Sequence, residues 1–299
     1  FFFQLRTSRF PRPAFLCPAG YLLTTDDYEF LRFSGLLPGD TYYTYLLYNM
    51  NDAALYAMAN SPQRRTTEDV IREFFHLVRW SPDGGDNILD VGCGDGGVMI
   101  NIIQKHLPKN FGKLVGSDLS SKMIEYANTT YRSSKIEFRV MDIASELNFD
   151  ERGSYNHLFS FNCLHWVQDQ RSAIRNINAL LKAGGDCILS FVGKSEIFNV
   201  YRTLAANPRW TSYMHDFTKY VSPYHYSSNP EEEFANLMFE SDFKNIQVKC
   251  KENNFCFDEI QKFRVYIFGK YAYVFIKYKF IIKVYIFLLL YLPCTIIIF

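Results

Sequence analysis

Between residues 50 and 264, short apolar runs alternate with longer segments in which apolar residues recur every third or fourth position. The short runs suit strands buried on both faces, and the periodic segments suit helices laid across them. Strands are predicted at Ile88–Val91, Lys113–Ser117, Ile136–Met141, His157–Phe161, Cys187–Val192 and Ile246–Cys250. Helices are predicted at Thr67–Val78, Gly97–His106, Ser121–Tyr131, Ser172–Leu181 and Glu231–Glu240. On the first of these, Val70, Phe74 and Val78 share one face at i, i+4 and i+8. Strand and helix in alternation predict an α/β fold: a mostly parallel sheet between two helical layers, a three-layer sandwich.

The pattern fails at both ends of the chain. Residues 1–49 hold no methionine, are punctuated by proline and glycine, and show neither period. They lack the basic start, apolar run and small-residue cleavage site of a secretory signal. They are read as an irregular upstream extension, with Met50 as the natural start. Residues 265–299 are dominated by Tyr, Ile, Phe and Lys and contain no Asp, Glu, Asn, Gln, Ser or Arg. Those four abundant residues can all be encoded by A/T-only codons, so the tail is read as translated non-coding sequence. Its rival is a membrane anchor at Val284–Phe299, which is shorter than the ~20 residues a spanning helix needs and is interrupted by Pro293.

Composition narrows the classes. With 48% apolar residues the chain can bury a substantial core, and a formal net charge of +1 argues against a broad nucleic-acid footprint. The seven cysteines are scattered, with no CxxC pair and no Cys/His spacing for zinc. A reduced, cytoplasmic protein with no structural metal and no stable membrane insertion is expected.

Candidate chemistry begins at Ile88-Leu89-Asp90-Val91-Gly92-Cys93-Gly94-Asp95-Gly96-Gly97, where an apolar strand runs into glycines and a helix follows. Such a turn lets a ligand approach the backbone at the carboxyl end of a strand. The spacing Gly92-x-Gly94-x-x-Gly97 also fits the dinucleotide fingerprint, and Asp118, ending the next strand, can take ribose hydroxyls of either ligand class. Charge favours one of them. Asp90 and Asp95 would crowd a pyrophosphate, whereas a ligand carrying a sulfonium and an ammonium suits those carboxylates. The following strand ends at Asp142-Ile143, where a carboxylate can accept from an adenine amino group beside an apolar side chain.

These residues resemble the class I S-adenosylmethionine-dependent methyltransferases: Asp90-Val91-Gly92-Cys93-Gly94 is similar to their first motif, Asp118 to the ribose acid, and Asp142-Ile143 to the adenine clamp. The resemblance narrows to insect juvenile hormone acid O-methyltransferases. It does so through Met50-Asn51-Asp52-Ala53-Ala54-Leu55-Tyr56, Ser61-Pro62-Gln63-Arg64-Arg65, Asp118-Leu119-Ser120-Ser121-Lys122-Met123-Ile124 and Cys163-Leu164-His165-Trp166-Val167. Gly185-Asp186-Cys187-Ile188-Leu189, Ile197-Phe198-Asn199-Val200-Tyr201 and Ser222-Pro223-Tyr224-His225 continue it. It covers about Met50 to Arg264 and stops there, so the family's final strand is expected to be missing or replaced, and the tail to be a mispredicted exon or retained intron.

The resemblance implies a Rossmann-like sheet and S-adenosylmethionine held by Asp90, Gly92, Cys93, Gly94, Asp118, Leu119, Asp142, Ile143 and Asn162. It implies methyl transfer to the carboxylate of a small apolar acid, farnesoic acid or juvenile hormone acid, positioned by Gln63, Trp166 and Tyr224, with the insertion at about 197–230 capping the acceptor. A carboxylic acid of pKa ~4–5 is ionised at neutral pH, so no catalytic acid or base is expected, and His165 is read as a pocket neighbour. Arg64 and Arg65 are read as solvated. Another small-molecule carboxylate as acceptor, and a truncated non-catalytic member of the family, remain as alternatives.

Overall fold

The structure, a computed structural model, describes Ala53, Tyr56, residues 60–208, 211–212 and 214–252, and the backbone at 15–16, 22–23 and 294–298. Seven strands build the main sheet: β1 (Ile88–Val91), β2 (Leu114–Asp118), β3 (Ile136–Val140), β4 (Tyr155–Phe161), β5 (Leu181–Lys194), β6 (Val248–Glu252) and β7 (Cys294–Ile298). Their order is β3-β2-β1-β4-β5-β7-β6. The pairings among β1 to β5 are parallel, and β7 runs antiparallel to both β5 and β6. A separate two-residue ladder joins Phe15–Leu16 to Leu22–Leu23.

Among the described residues the helices are α1 (Ser61–Phe74), α2 (Gly97–Asn101), α3 (Ser121–Tyr131), α4 (Gln170–Leu180), α5 (Glu196–Ala206) and α6 (Pro230–Glu240), in addition to the helical positions Ala53 and Tyr56. The pleat sends alternate residues to opposite layers. Ile88 joins α1, α2 and α3 in one buried cluster with Ile71, Met99 and Ile124. Leu89 joins α4 and α6 in another with Ile174, Ile177 and Phe234. These two clusters are the two halves of the core. A third cluster, built from Val192, Phe198, Tyr201, Leu204, Met214 and Val221, packs the region after β5 on itself.

Several expected boundaries move, each for a local reason. α1 starts at Ser61, not Thr67, because Pro62 sits in its first turn, where a missing N–H costs nothing. The helix expected over Gly97–His106 tightens to a 3₁₀ turn at Ile103–His106. β5 starts at Leu181, directly after α4, and passes a register shift opposite Tyr155 and His157 before the apolar stretch predicted from its pattern. The place of the final strand is filled by Cys294–Ile298, drawn from the apolar tail, whose β-branched Thr and Ile suit a strand. The rest of Val284–Phe299 lies outside the described residues, as do Trp210 and Tyr213 of the expected cap. Among the described residues no helix is long and apolar enough to cross a membrane.

The end of the sheet away from the carboxyl termini is closed by polar contacts. His157 lies between Asp186 (Nδ1 to Oδ1, 2.7 Å) and Asp86 (Nε2 to Oδ2, 3.4 Å), with the Trp80 ring centroid 4.5 Å away. Asp186 also accepts from the Arg79 amide at 3.0 Å, and Asp86 from the Ser81 amide at 2.7 Å. The segment leaving α1 is thereby fixed, so the helix is held at its far end while its start reaches the carboxyl ends of the strands.

Candidate functional site

The turn after β1 is a backbone cradle. Gly92 has φ +77° and Gly94 φ +57°, conformations that L side chains rarely adopt. A Cβ on Gly92 would sit 2.3 Å from Cys163 Cβ, and one on Gly94 would sit 3.2 Å from the Tyr56 ring. The Gly92 and Cys93 amides both donate to the Ser117 carbonyl, at 2.7 and 2.9 Å, so β2 locks the turn. Ser160 on β4 donates its hydroxyl to the Val91 carbonyl at 2.9 Å.

Three carboxylates surround this cradle. Asp118 accepts from Gly94 N at 3.0 Å and Ser120 N at 2.9 Å, and Asp95 accepts from Gly97 N at 3.0 Å. Asp90 and Asp95 are buried. Burial raises the pKa of all three; at Asp90 the neighbouring Asp118 charge adds to it, while at Asp118 and Asp95 the amide bonds pull back. The Cys93 thiol is likewise pushed well up by burial, and that of Cys163 to about 12, so both are neutral apolar packing at neutral pH. Three acids around a glycine turn, two of them buried, fit a cation-bearing ligand, whose positive charge would favour their ionised forms. They oppose a phosphate.

At the next strand end, Asp142 is exposed and accepts from Ala144 N and Ser145 Oγ, each at 2.9 Å. Ile143 is placed otherwise than expected: its side chain is buried in the core cluster of Leu89, Val115 and Leu147. The apolar side chain standing free beside Asp118 is Leu119, 69% exposed. Asn162, just past β4, has φ +57°, donates its amide to Ser190 O at 2.7 Å and its Nδ2 to the Gln63 carbonyl at 3.5 Å. A non-glycine residue in the left-handed region at a strand end is a strained position of the kind found at ligand sites.

The three expected acceptor residues do not all meet. Gln63 is buried at the start of α1, tied through its carbonyl to Asn162. Trp166 packs against the third cluster, formed by the segment expected to cap the acceptor, with His165 buried beside it at a ring distance of 4.7 Å. Tyr224 departs from the expectation. It is buried between Phe191 and Phe234, at ring distances of 5.6 and 5.4 Å, and its hydroxyl donates to Gln170 Oε1 at 3.4 Å. It belongs to the α4–α6 side of the core.

Two residues were missed from the sequence. Tyr56 covers Gly94, and burial raises its phenol pKa, with the charges of Asp95 and Asp118 adding to the rise. Arg64, expected to be solvated, is half-buried, and its charge reaches Asp95 and lowers that carboxyl against burial. Arg65 is exposed, as expected. Gln63 and Thr67, one turn apart on the buried face of α1, are polar where an apolar stripe would be expected, and they are the local signal on this side of the site.

The comparisons with known proteins agree with this geometry. Residues 88–185 match the family described as "Methyltransferase domain". The juvenile hormone acid O-methyltransferase of Bombyx mori is 40% identical over 211 residues, 71% of this chain and 75% of that protein. The protein of the same name from Drosophila melanogaster is 39% identical over 215 residues, 71% of this chain and 72% of its own. Among solved structures, the YcgJ protein of Bacillus subtilis superposes with a TM-score of 0.51 at 13% identity, covering 77% of this chain and 96% of its own, a likeness of fold alone. With identity of this level across most of both insect relatives, the chain belongs to the juvenile hormone acid O-methyltransferases, within the S-adenosylmethionine-dependent class I methyltransferases.

Proposed function

We propose that the chain methylates the carboxylate of a sesquiterpenoid acid, farnesoic acid or juvenile hormone acid, in the cytoplasm. The observation that carries the reading is the seat of Trp166: one aromatic side chain joins the strand end next to the glycine turn to the separate apolar cluster of Val192, Phe198, Tyr201 and Met214. An apolar acceptor laid against that cluster brings its carboxylate toward the turn.

Bound S-adenosylmethionine supplies a methyl group made electrophilic by the sulfonium that carries it. The chain's own residues do the rest. Asp118 and the Gly94 amide hold the turn to the ribose side, and Asp142 and Leu119 offer a polar and an apolar contact to the adenine. Gln63 presents a buried carboxamide that can donate to the acceptor carboxylate. The acceptor is ionised at neutral pH, so no side chain has to remove a proton. Placing the reacting atoms in line contributes on the order of 7–11 kcal/mol. Tyr56, Trp166 and the cap cluster exclude water where opposite charges meet and cancel.

The test is turnover of farnesoic acid beside a polar acid such as trans-aconitate, with the methyl ester detected by mass spectrometry. Ester is expected from the apolar acid alone. Ester from the polar acid alone, or from neither, would remove the proposed acceptor.

A further inference from the structure

Asn60 stands directly before the first residue of α1, in the capping position, yet its side chain makes no cap bond. Its carbonyl is used, accepting from the Arg64 amide at 2.9 Å. Its carboxamide is not. The residue is 1% exposed, and both Nδ2 and Oδ1 are buried with no hydrogen-bond partner. One turn further along the same face, Gln63 is also buried, and its Oε1 likewise lacks a partner. Leaving such groups unsatisfied costs stability, and native proteins rarely tolerate it without a ligand or a specific reason.

Position says where the partner lies. Tyr56, four residues before Asn60, packs over Gly94 of the turn. Gln63, one turn after it, is tied to Asn162 at the end of β4. In the chain Asn60 lies between these two anchors, one on the turn after β1 and the other tied to the end of β4. Chemistry says what the partner is. A primary carboxamide donates from its nitrogen and accepts at its oxygen, so it is satisfied by a group presenting an acceptor and a donor together. Asp90, Asp95 and Asp118 make the surroundings favourable for an ammonium, and the nearby Arg64 guanidinium favours a carboxylate.

We infer that Asn60 is a cofactor-binding residue whose carboxamide holds the ammonium-and-carboxylate end of S-adenosylmethionine, with Gln63 Oε1 as a second acceptor. The inference rests on the cofactor of the family and is independent of which acid is methylated.

Asn60→Ala in the full chain tests it, by titration calorimetry with S-adenosylhomocysteine, with 5′-methylthioadenosine, which lacks the amino-acid end, and with farnesoic acid. The expected result is at least a roughly tenfold loss for S-adenosylhomocysteine, the scale of hydrogen bonds to charged groups, with 5′-methylthioadenosine and the acid unchanged. Unaltered affinity for S-adenosylhomocysteine, an equal loss with both nucleosides, or weakening of the acid instead would overturn it. Thermal unfolding of the ligand-free variant supplies a second readout. Removing an unsatisfied carboxamide should leave the midpoint equal or higher, and a lower midpoint would assign Asn60 a structural role and overturn the inference. Wild-type chain that bound neither nucleoside would sink the cofactor assignment itself, a result separable from all of these.

Discussion

Asp118 Oδ2 accepts from the Gly94 amide at 3.0 Å while its Oδ1 accepts from Ser120 at 2.9 Å, so one carboxylate at the end of β2 fixes both the turn after β1 and the approach to α3. The residue expected to meet the cofactor's ribose is thus also part of what shapes the turn. Asp118→Ala should therefore show two losses. Folding stability should drop by about 1–3 kcal/mol, because the Gly94 amide is left without its acceptor. Cofactor affinity should fall by more than tenfold. Chemical denaturation and calorimetry with S-adenosylmethionine measure the two separately, and an affinity equal to wild type in a folded variant would remove Asp118 from the site.

The three acids around the turn make binding pH-dependent in a direction that can be worked out. Burial raises their folded-state pKa values above the ordinary carboxylate value. Below that ordinary value they are protonated whether the chain is folded or not, and they contribute no slope. As pH rises past it the unfolded chain ionises first, so the free protein loses stability until the folded acids ionise too. A bound cation favours the ionised acids, so binding expels protons in that window and affinity rises with pH. S-adenosylmethionine should show a steeper rise than S-adenosylhomocysteine, which lacks the sulfonium charge. Calorimetry in buffers of different ionisation enthalpy reads the proton release directly; proton uptake on binding would contradict the electrostatic account.

Gly92 is required on two independent grounds, its φ of +77° and the Cys163 side chain in the space a methyl would need. Gly92→Ala should cost more than the ~1 kcal/mol of a strained backbone alone. Adding Cys163→Gly clears the space but not the torsion, so the double variant should regain part of the stability lost. Denaturation midpoints of the single and double variants decide it, and no recovery would mean that the backbone carries the whole penalty.

The sequence made the glycine-turn side of the candidate site legible because that side is contiguous. Asp90 through Gly97 are one strand and one turn, and Asp118 and Asp142 end or follow the next two strands, so linear order maps onto the edge of a parallel sheet. The opposite wall was harder to read. Tyr56 reaches the turn from a segment well upstream, and nothing in its immediate sequence neighbours distinguishes a ligand-facing tyrosine from a packed one. Ile143, placed near the site by its strand end, and Tyr224, placed there by resemblance, show the converse: both are drawn inward by apolar neighbours that only the tertiary packing assembles. The strand at Cys294–Ile298 escaped because the composition of residues 265–299 masks the strand pattern within them.

Trp166 and Tyr224, read together from the sequence as acceptor residues, occupy different clusters, and this separates their variants. Trp166 is packed against the cap segment, so Trp166→Ala should raise the acceptor KM by about 10- to 100-fold, the equivalent of ~1.5–3 kcal/mol of aromatic burial, and leave cofactor affinity near wild type. Tyr224 is seated between Phe191 and Phe234, so Tyr224→Ala should lose about 3–5 kcal/mol of folding stability as a large core truncation. Tyr224→Phe removes only the hydroxyl that donates to Gln170 Oε1, and Gln170 keeps its own bonds to the Leu164 and Val167 carbonyls. That variant should cost about 1 kcal/mol and leave the acceptor KM unchanged. Steady-state kinetics of the two purified proteins gives the answer: a KM that rises in Tyr224→Phe as it does in Trp166→Ala would return the Tyr224 hydroxyl to the acceptor site.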